Sequence, residues 1–523
     1  PIPTTYVVHV QAPLEHSITL SDLGMDVDRC TMNELHVYAS QADLNTLDTL
    51  GYTYTLIETQ PNPPDFSTST KGLGTYHSYI SLTTDLQTYA TNYPGITRLV
   101  NIGNSVQGKA IWALKITDNP DSEEAEPEFK YISSMHGDEI IGVEMCMYLI
   151  EHLLTSYGLG TAAGLRTTAL VDGTEIWIIP LMNPDGHTLG LRYNANTIDL
   201  NRDFPSLKNH GASGNIFDGT PLYTTGRQIE TLNVMNWSTN HSFVLSANMH
   251  GGALVVNYPL DESAHVNCNA GGVESPSHDD SLFIDVSTVY AQSNSPMANN
   301  NVGNFTNGIV NGTLWYSNCG GMQDWNYRYL ACNEVTLELS NAKGPAENTI
   351  PTFWSENQES LLAYMESVHI GIRGLVTNSV TGDPVYAKIT ITGNSQPVFS
   401  DPDVGDYYRM LLPGAYTVNV EAQGYAGYTV ASPVTVVGTT PTVLDLPMVP
   451  LDTHSADQDQ SDSLSLQEIL RVIQLFNMGA VNCDGSSEDG YTPEAANQFC
   501  VTHRGDYDPV DHQFNLSEVL RMV

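Results

Sequence analysis

The chain is short of positive charge. Its 523 residues carry 19 Lys and Arg against 59 Asp and Glu, a formal net charge of −40. Phosphate recognition needs basic stripes, so nucleic acid is excluded as a partner. Such acidity keeps a chain in solution and favours cationic ligands; a solvated acidic surface suited to salty or calcium-rich surroundings explains it equally well. Long hydrophobic runs are also missing: none approaches the ~20 apolar residues that a membrane helix needs. Cysteine is sparse, at seven, an odd count. Cys483 and Cys500 lie in a polar, Gly-containing region that a disulfide would staple. Cys319 and Cys332 flank a loop and are either paired or free, since spacing alone does not set connectivity. The chain starts Pro-Ile-Pro without Met, as after removal of an export signal. Secretion, where disulfides persist, is the expected location.

Composition shifts divide the chain. Residues 1–60 read as a small α+β segment of prodomain type, with "TYVVHVQAP", "NELHVYAS" and "TYTLIE" as strands and "ADLNTLDTLGY" as a helix ending at Gly. Residues 61–74 have the Pro/Ser/Thr/Gly bias of a linker. From 75 to 371, strands such as "FKYISSM", "TEIWIIPLM" and "FVLSANMH" alternate with helices such as "EIIGVEMCMYLIEHLLTSYG". That alternation predicts an α/β domain with a parallel or mixed sheet and helices on both faces. Residues 372–449 hold short strands split by Gly/Pro/Asn turns, the pattern of a small all-β sandwich. The tail, 450–523, differs again.

Within the α/β region, "SSMHGDEIIGVE" brings His136 to the end of a strand reaching Met135 and Glu139 to the first turn of the next helix. Ligands of open α/β sheets bind at the carboxyl ends of strands, and zinc takes imidazole nitrogen and carboxylate oxygen. By itself His-x-x-Glu equally describes an ordinary helix start, where the dipole favours Glu. "SANMHGG" puts His250 at the end of another apolar strand, either as a packed side chain or as the third ligand of a His₂Glu set. "LRYNANTIDLNRDFP" contributes Arg192 and Arg202, scarce cations of the kind that grip a carboxylate bidentately or brace structural ion pairs. Tyr316 stands on a Gly-rich loop. Glu338 sits inside an apolar strand, where a carboxylate is costly unless paired or functional.

Taken together, "HGDE", "NPDG", "RYNANTIDLNRDFP", "SANMHGG", "NYPLD", "GGMQDWNY" and "EVTLEL", in this order over roughly 75–345, resemble the zinc metallocarboxypeptidases. The likeness is to the N/E-type branch, whose catalytic domain is followed by a transthyretin-like sandwich; "GIRGLVTNSVTGDPV" extends it to about 449. Asp138 and Asp203 depart from the branch, which usually has Asn at both places. The resemblance implies that His136, Glu139 and His250 bind Zn²⁺ and that Asn201 and Arg202 hold the terminal carboxylate of a peptide. It further implies that Arg192 polarises the scissile carbonyl, that Tyr316 closes over the last residue and that Glu338 is the general base. Through Asp261, eleven residues beyond His250, and Gln323, the resemblance also implies a preference for C-terminal Lys or Arg; otherwise Asp261 is one more exposed acid beside Glu262. Asp138 reads as a neighbouring or helix-start charge, not a ligand. Two alternatives remain: a relative acting on unusual chain ends such as cell-wall peptides, and an inactive peptide-binding relative.

In the tail, "DQDQSDSLSLQE" sets Asp457, Asp459, Ser461, Ser463, Ser465 and Glu468 at the ligand positions of an EF-hand loop. Asp462 replaces the usual Gly. "DYDPVDHQFNLSEVLRMV" repeats the theme with Asp506, Asp508, Asp511, Asn515 and Glu518. The pair resembles a dockerin-like Ca²⁺ module, which implies a protein docking partner; a solvated acidic tail is the alternative.

Overall fold

The computed structural model describes residues 5–13, 16–23, 25–30, 33–60, 75–210, 215–451, 465–478, 482–483, 491–492 and 519. The segment 61–74, expected as a linker, lies outside them.

The amino-terminal segment forms an antiparallel sheet of β1 (Thr5–Gln11), β2 (Asp26–Cys30), β3 (Glu34–Ala39) and β4 (Thr53–Gln60), in the order β2-β3-β1-β4. Val8, Val10, Leu35 and Val37 project from it onto Leu20 and Leu47 of two helices, giving the segment a small core of its own.

The central sheet has eight strands. They are β5 (Thr97–Asn104), β6 (Ala110–Ile116), β7 (Glu128–Ser133), β8 (Glu175–Ile179), β9 (Phe243–His250), β10 (Ala253–Tyr258), β11 (Ile309–Asn311) and β12 (Asn333–Ser340), ordered β11-β10-β12-β9-β7-β8-β6-β5. Strands β12, β9, β7 and β8 run parallel, and antiparallel pairs join them to β10 and β6. The sheet is mixed, as expected. Its strands are buried on both faces because alternate side chains feed two cores. Phe129, Tyr131, Ile176 and Ile178 pack against helices Ile141–Ser156 and Ile350–Glu366. Ile132, Trp177 and Ile179 pack against Ile229–Ser238 and Met322–Leu330. From β7 the chain passes to β8 on one side and later returns as β9 on the other. A crevice therefore opens at the carboxyl ends of these strands.

After helix Ile350–Glu366, two further sheets enclose one apolar core. Ile372, Val376, Tyr407 and Leu446 come from one sheet and Ile389, Val398, Val418 and Val420 from the other. The expected all-β sandwich is present. A buried ion pair, Arg409 Nη2 to Asp279 Oδ1 at 2.6 Å, fastens it to the central region. In the tail, helix Leu466–Met478 starts with a reciprocal cap: Ser465 N donates to Glu468 Oε2 at 2.7 Å and Glu468 N to Ser465 Oγ at 3.3 Å. Asp457, Asp459, Ser461, Ser463, Asp506, Asp508, Asp511, Asn515 and Glu518, expected as calcium ligands, lie outside the described residues, as does Cys500.

Candidate functional site

Strand β7 stops at Ser133, two residues earlier than expected. Ser134 adopts a φ of 53°, in the left-handed region, and turns the chain so that His136 lands at the carboxyl edge. The next helix starts at Ile141, so Glu139 lies in the connecting loop and not in the first helical turn. The backbone donors of that loop are committed elsewhere: Gly137 N to Arg192 O at 3.2 Å and Ile140 N to Lys343 O at 3.1 Å. Gly137 is required by close approach, because a Cβ there would overlap the backbone of Gly186 and His187 in the "NPDG" segment.

His136, Glu139 and His250 converge, all at least nine-tenths buried. His136 Nδ1 lies 2.9 Å from Glu139 Oε1, and His250 Nδ1 lies 2.7 Å from Glu139 Oε2. The two Nδ1 atoms face each other at 3.0 Å. Two imidazole nitrogens and a carboxylate oxygen at this spacing fit the donor set of a catalytic zinc site. Burial disfavours ionisation of Glu139, but both histidines outweigh it and hold the carboxyl well below its ordinary range. Burial, with help from Arg192, disfavours protonation of His136; Glu139 and Asp199 overcome both, and its pKa is raised.

The remaining nitrogen of His136, Nε2, meets Asp199 Oδ1 at 3.0 Å. A carboxylate behind a ligand histidine fixes its orientation and raises its basicity. Asp199 also pairs with Arg192 Nε at 3.1 Å, while Arg192 Nη1 reaches Glu139 Oε1 at 3.2 Å. Lys343 Nζ sits 3.4 Å from Asp138 Oδ2 and 3.7 Å from Glu139 Oε1. Asp138 is thus a charge partner of Lys343, outside the converging trio. Asp26, at the start of β2, reaches into the same group, 2.5 Å from Lys343 Nζ and 3.5 Å from Arg192 Nε.

Asn201 and Arg202 share the tight turn Leu200–Arg202, which Asp199 caps by accepting Asn201 N at 2.8 Å. Asn201 Oδ1 accepts Met322 N at 3.1 Å, which joins this turn to the helix bearing Gln323. Asp261 is buried, not exposed. Its Oδ1 accepts Asn257 Nδ2 at 2.9 Å, and burial with the Asp324 carboxylate pushes its own carboxyl well above the usual range, opposed by Arg202. Gly312 makes room for it, since a Cβ there would run into Oδ1. Gln323 is 1% exposed, and neither atom of its amide is hydrogen-bonded. Tyr316 follows the helical turn Gly312–Trp315 in extended backbone and enters the segment that Cys268–Cys319 ties down. Cys319 therefore pairs with Cys268 and not with Cys332, whose thiol is buried beside Ser246 Oγ at 3.2 Å. Glu338, on β12, stands in register with His250 on the parallel strand β9.

Asp199, Lys343 and Asp26 belong to this group and were not anticipated. Asp199 was within reach of sequence reasoning, as the one acid two positions ahead of Asn201. Lys343 had a weaker signal, a single cation shortly after the strand of Glu338 in a chain poor in cations. Asp26 had none.

The profile of the zinc carboxypeptidase family matches residues 82–360. Human carboxypeptidase D is 39% identical over 369 residues, covering 67% of this chain but 25% of its own length, so the chain spans about a quarter of that relative. Mouse carboxypeptidase M is 38% identical over 370 residues, covering 68% of this chain and 79% of that protein. Among solved structures, carboxypeptidase A from Helicoverpa armigera aligns with a TM-score of 0.52 at 19% identity, covering 69% of this chain and 97% of that one, a likeness of fold.

Proposed function

Because the chain belongs to the zinc carboxypeptidase family, we propose that it hydrolyses the C-terminal peptide bond of peptides and proteins, with Lys or Arg preferred as the last residue. The observation that carries this reading is the convergence of His136, Glu139 and His250 next to the Asn201–Arg202 turn, with Glu338 in register beside His250.

The three side chains would hold zinc, which when bound lowers the pKa of its water and polarises a carbonyl. Glu338 takes the proton of the attacking water and passes it to the leaving amine. Arg192 faces the carbonyl oxygen as negative charge develops there. Arg202 and Asn201 grip the terminal carboxylate and admit only a chain end. Tyr316 covers that residue. Asp261 and Gln323, buried with unspent hydrogen-bonding capacity at the amide, meet its cationic side chain.

The surroundings are read in the same way. Residues 75–371 form the catalytic domain, 372–449 a transthyretin-like sandwich, 1–60 a prodomain-like segment and 450–523 a dockerin-like module that binds Ca²⁺ and docks onto another protein. The Cys268–Cys319 disulfide supports an extracellular location. No helix among the described residues is long and apolar enough to cross a membrane. A peptide library with varied C-termini, digested with and without a zinc chelator, tests the proposal. Single-residue release of Lys and Arg, lost on chelation and restored by zinc, is expected. Cleavage inside chains, or preference for Phe, would sink it.

A further inference from the structure

A second group of metal-ligating side chains lies at the opposite edge of the central sheet. Glu128 and Glu175 open the neighbouring strands β7 and β8 in direct register. Both are buried, at 3% and 4% exposure. Side chains alternate along a strand, so Glu128 shares a face with Lys130, and Glu175 with Trp177. His241, just ahead of β9, completes a trio whose donor atoms all lie within 4.8 Å of one another. Asp401, from the sandwich, and Glu123 form a second trio that shares Glu128.

The carboxylates here outnumber the nearby cations, Lys115 and Lys130. Lys115 Nζ lies 2.5 Å from Glu175 Oε2, and Trp177 Nε1 donates to Glu175 Oε1 at 2.7 Å. Ser242 N donates to Glu128 Oε1 at 2.7 Å. Glu128 Oε2 is fully buried and makes no hydrogen bond. It faces His241 Nδ1 at 2.7 Å without hydrogen-bond geometry. At that separation a proton or a cation must lie between the two atoms. Edge contacts with Trp177 and Trp237, at ring separations of 5.0 and 5.1 Å, hold the imidazole in place.

We propose that Glu128, Glu175 and His241 hold a second divalent cation of the zinc type, with Asp401 as a further donor, in a structural site that ties the amino edge of the central sheet to the β-sandwich. Imidazole nitrogen beside carboxylate oxygen suits a first-row transition cation. Calcium needs six to eight oxygens, and the wall of Trp177, Trp237 and Phe243 supplies none of them from side chains. The site differs from the His136 group in place and in its surroundings, with further carboxylates beside it and Lys115 paired to Glu175.

The test uses the full chain, stripped with a chelator and dialysed against zinc in excess calcium, so that oxygen-rich loops are filled. Bound zinc is counted by mass spectrometry of the metal. The wild type is expected to hold two zinc ions per chain, and a His136→Ala/Glu139→Ala double variant one. Adding Glu128→Gln or His241→Gln to the double variant removes the remaining ion. Glu128→Gln alone keeps peptide hydrolysis, which shows that the chain is folded, but retains one zinc and loses the zinc-dependent rise in melting temperature. A double variant that binds no zinc overturns the proposal. So does residual zinc that survives both Glu128→Gln and His241→Gln, or displacement of the second ion by calcium.

Discussion

At the carboxyl edge of the central sheet, two histidines and a glutamate face one another among cations. Arg192 lies 3.2 Å and Lys343 3.7 Å from Glu139. At the amino edge, two glutamates and a histidine face one another among further carboxylates, with Lys115 bound to Glu175. The donor chemistry is similar, and the surroundings differ. The cations around the first group are those that the proposed mechanism turns on a carboxylate and a developing oxyanion. Acids crowd the second, and aromatic rings lie beside His241. What a cluster of ligands can do is set by its neighbours as much as by its own atoms.

The sharpest way to break this contrast is to disable each edge in turn. Glu338→Gln should lower kcat by about 10²- to 10⁴-fold, the usual contribution of a general base, with zinc content unchanged. His241→Gln should leave kcat intact and lower the melting temperature. Equal loss of turnover in both would erase the distinction. Next, Asp261→Ala should reduce kcat/KM for C-terminal Arg on the order of 100-fold, the scale of a buried charge pair left half-empty, and spare C-terminal Leu. Equal loss for both peptides would remove Asp261 from the specificity pocket. Asp199→Asn should weaken zinc at the carboxyl edge by roughly 10- to 100-fold, read by competition with a chromophoric chelator. An unchanged affinity would leave Asp199 as a brace for Arg192 alone.

The smallest effect concerns the carboxylates near the amino edge. Burial, opposed by a hydrogen bond from Tyr408, pushes the Asp406 carboxyl from 3.8 up to about 7. The folded chain therefore keeps a proton that the unfolded chain has already released. Stability should fall as pH rises from about 4 to about 7 and level off above, where both states are ionised. Asp406→Asn should flatten that slope in melting curves taken with chelator present; an unaltered slope would assign it to other groups.

Much of the carboxyl edge was legible in the sequence because its residues follow apolar strands at recognisable breaks. His250 ends β9, and Glu338 stands between two leucines of β12. Boundaries were less legible. The placement of Glu139 on a helix failed because Gly137 and Ile140 bond to residues far along the chain, Arg192 and Lys343. Asp26 was invisible for the same reason: its partners are set by how the amino-terminal sheet lies against the central one. Likewise Glu128 and Glu175 look like ordinary strand starts until their register places them side by side. Buried Asp261 was anticipated by resemblance, but its burial depends on the space left by Gly312.

The register of Glu338 with His250 has a consequence for folding kinetics. The two residues meet only after β12 has paired with β9 across a long stretch of intervening chain, a non-local contact of the kind that forms slowly. A slip of one residue would turn Glu338 to the opposite face of the sheet, among Val335, Leu337 and Leu339. With Glu338 as the general base proposed above, turnover would be a clock for refolding. It can start only when this ladder has zipped in its correct alignment, later than the helical signal returns, and a slipped chain would look folded in its spectrum yet stay silent.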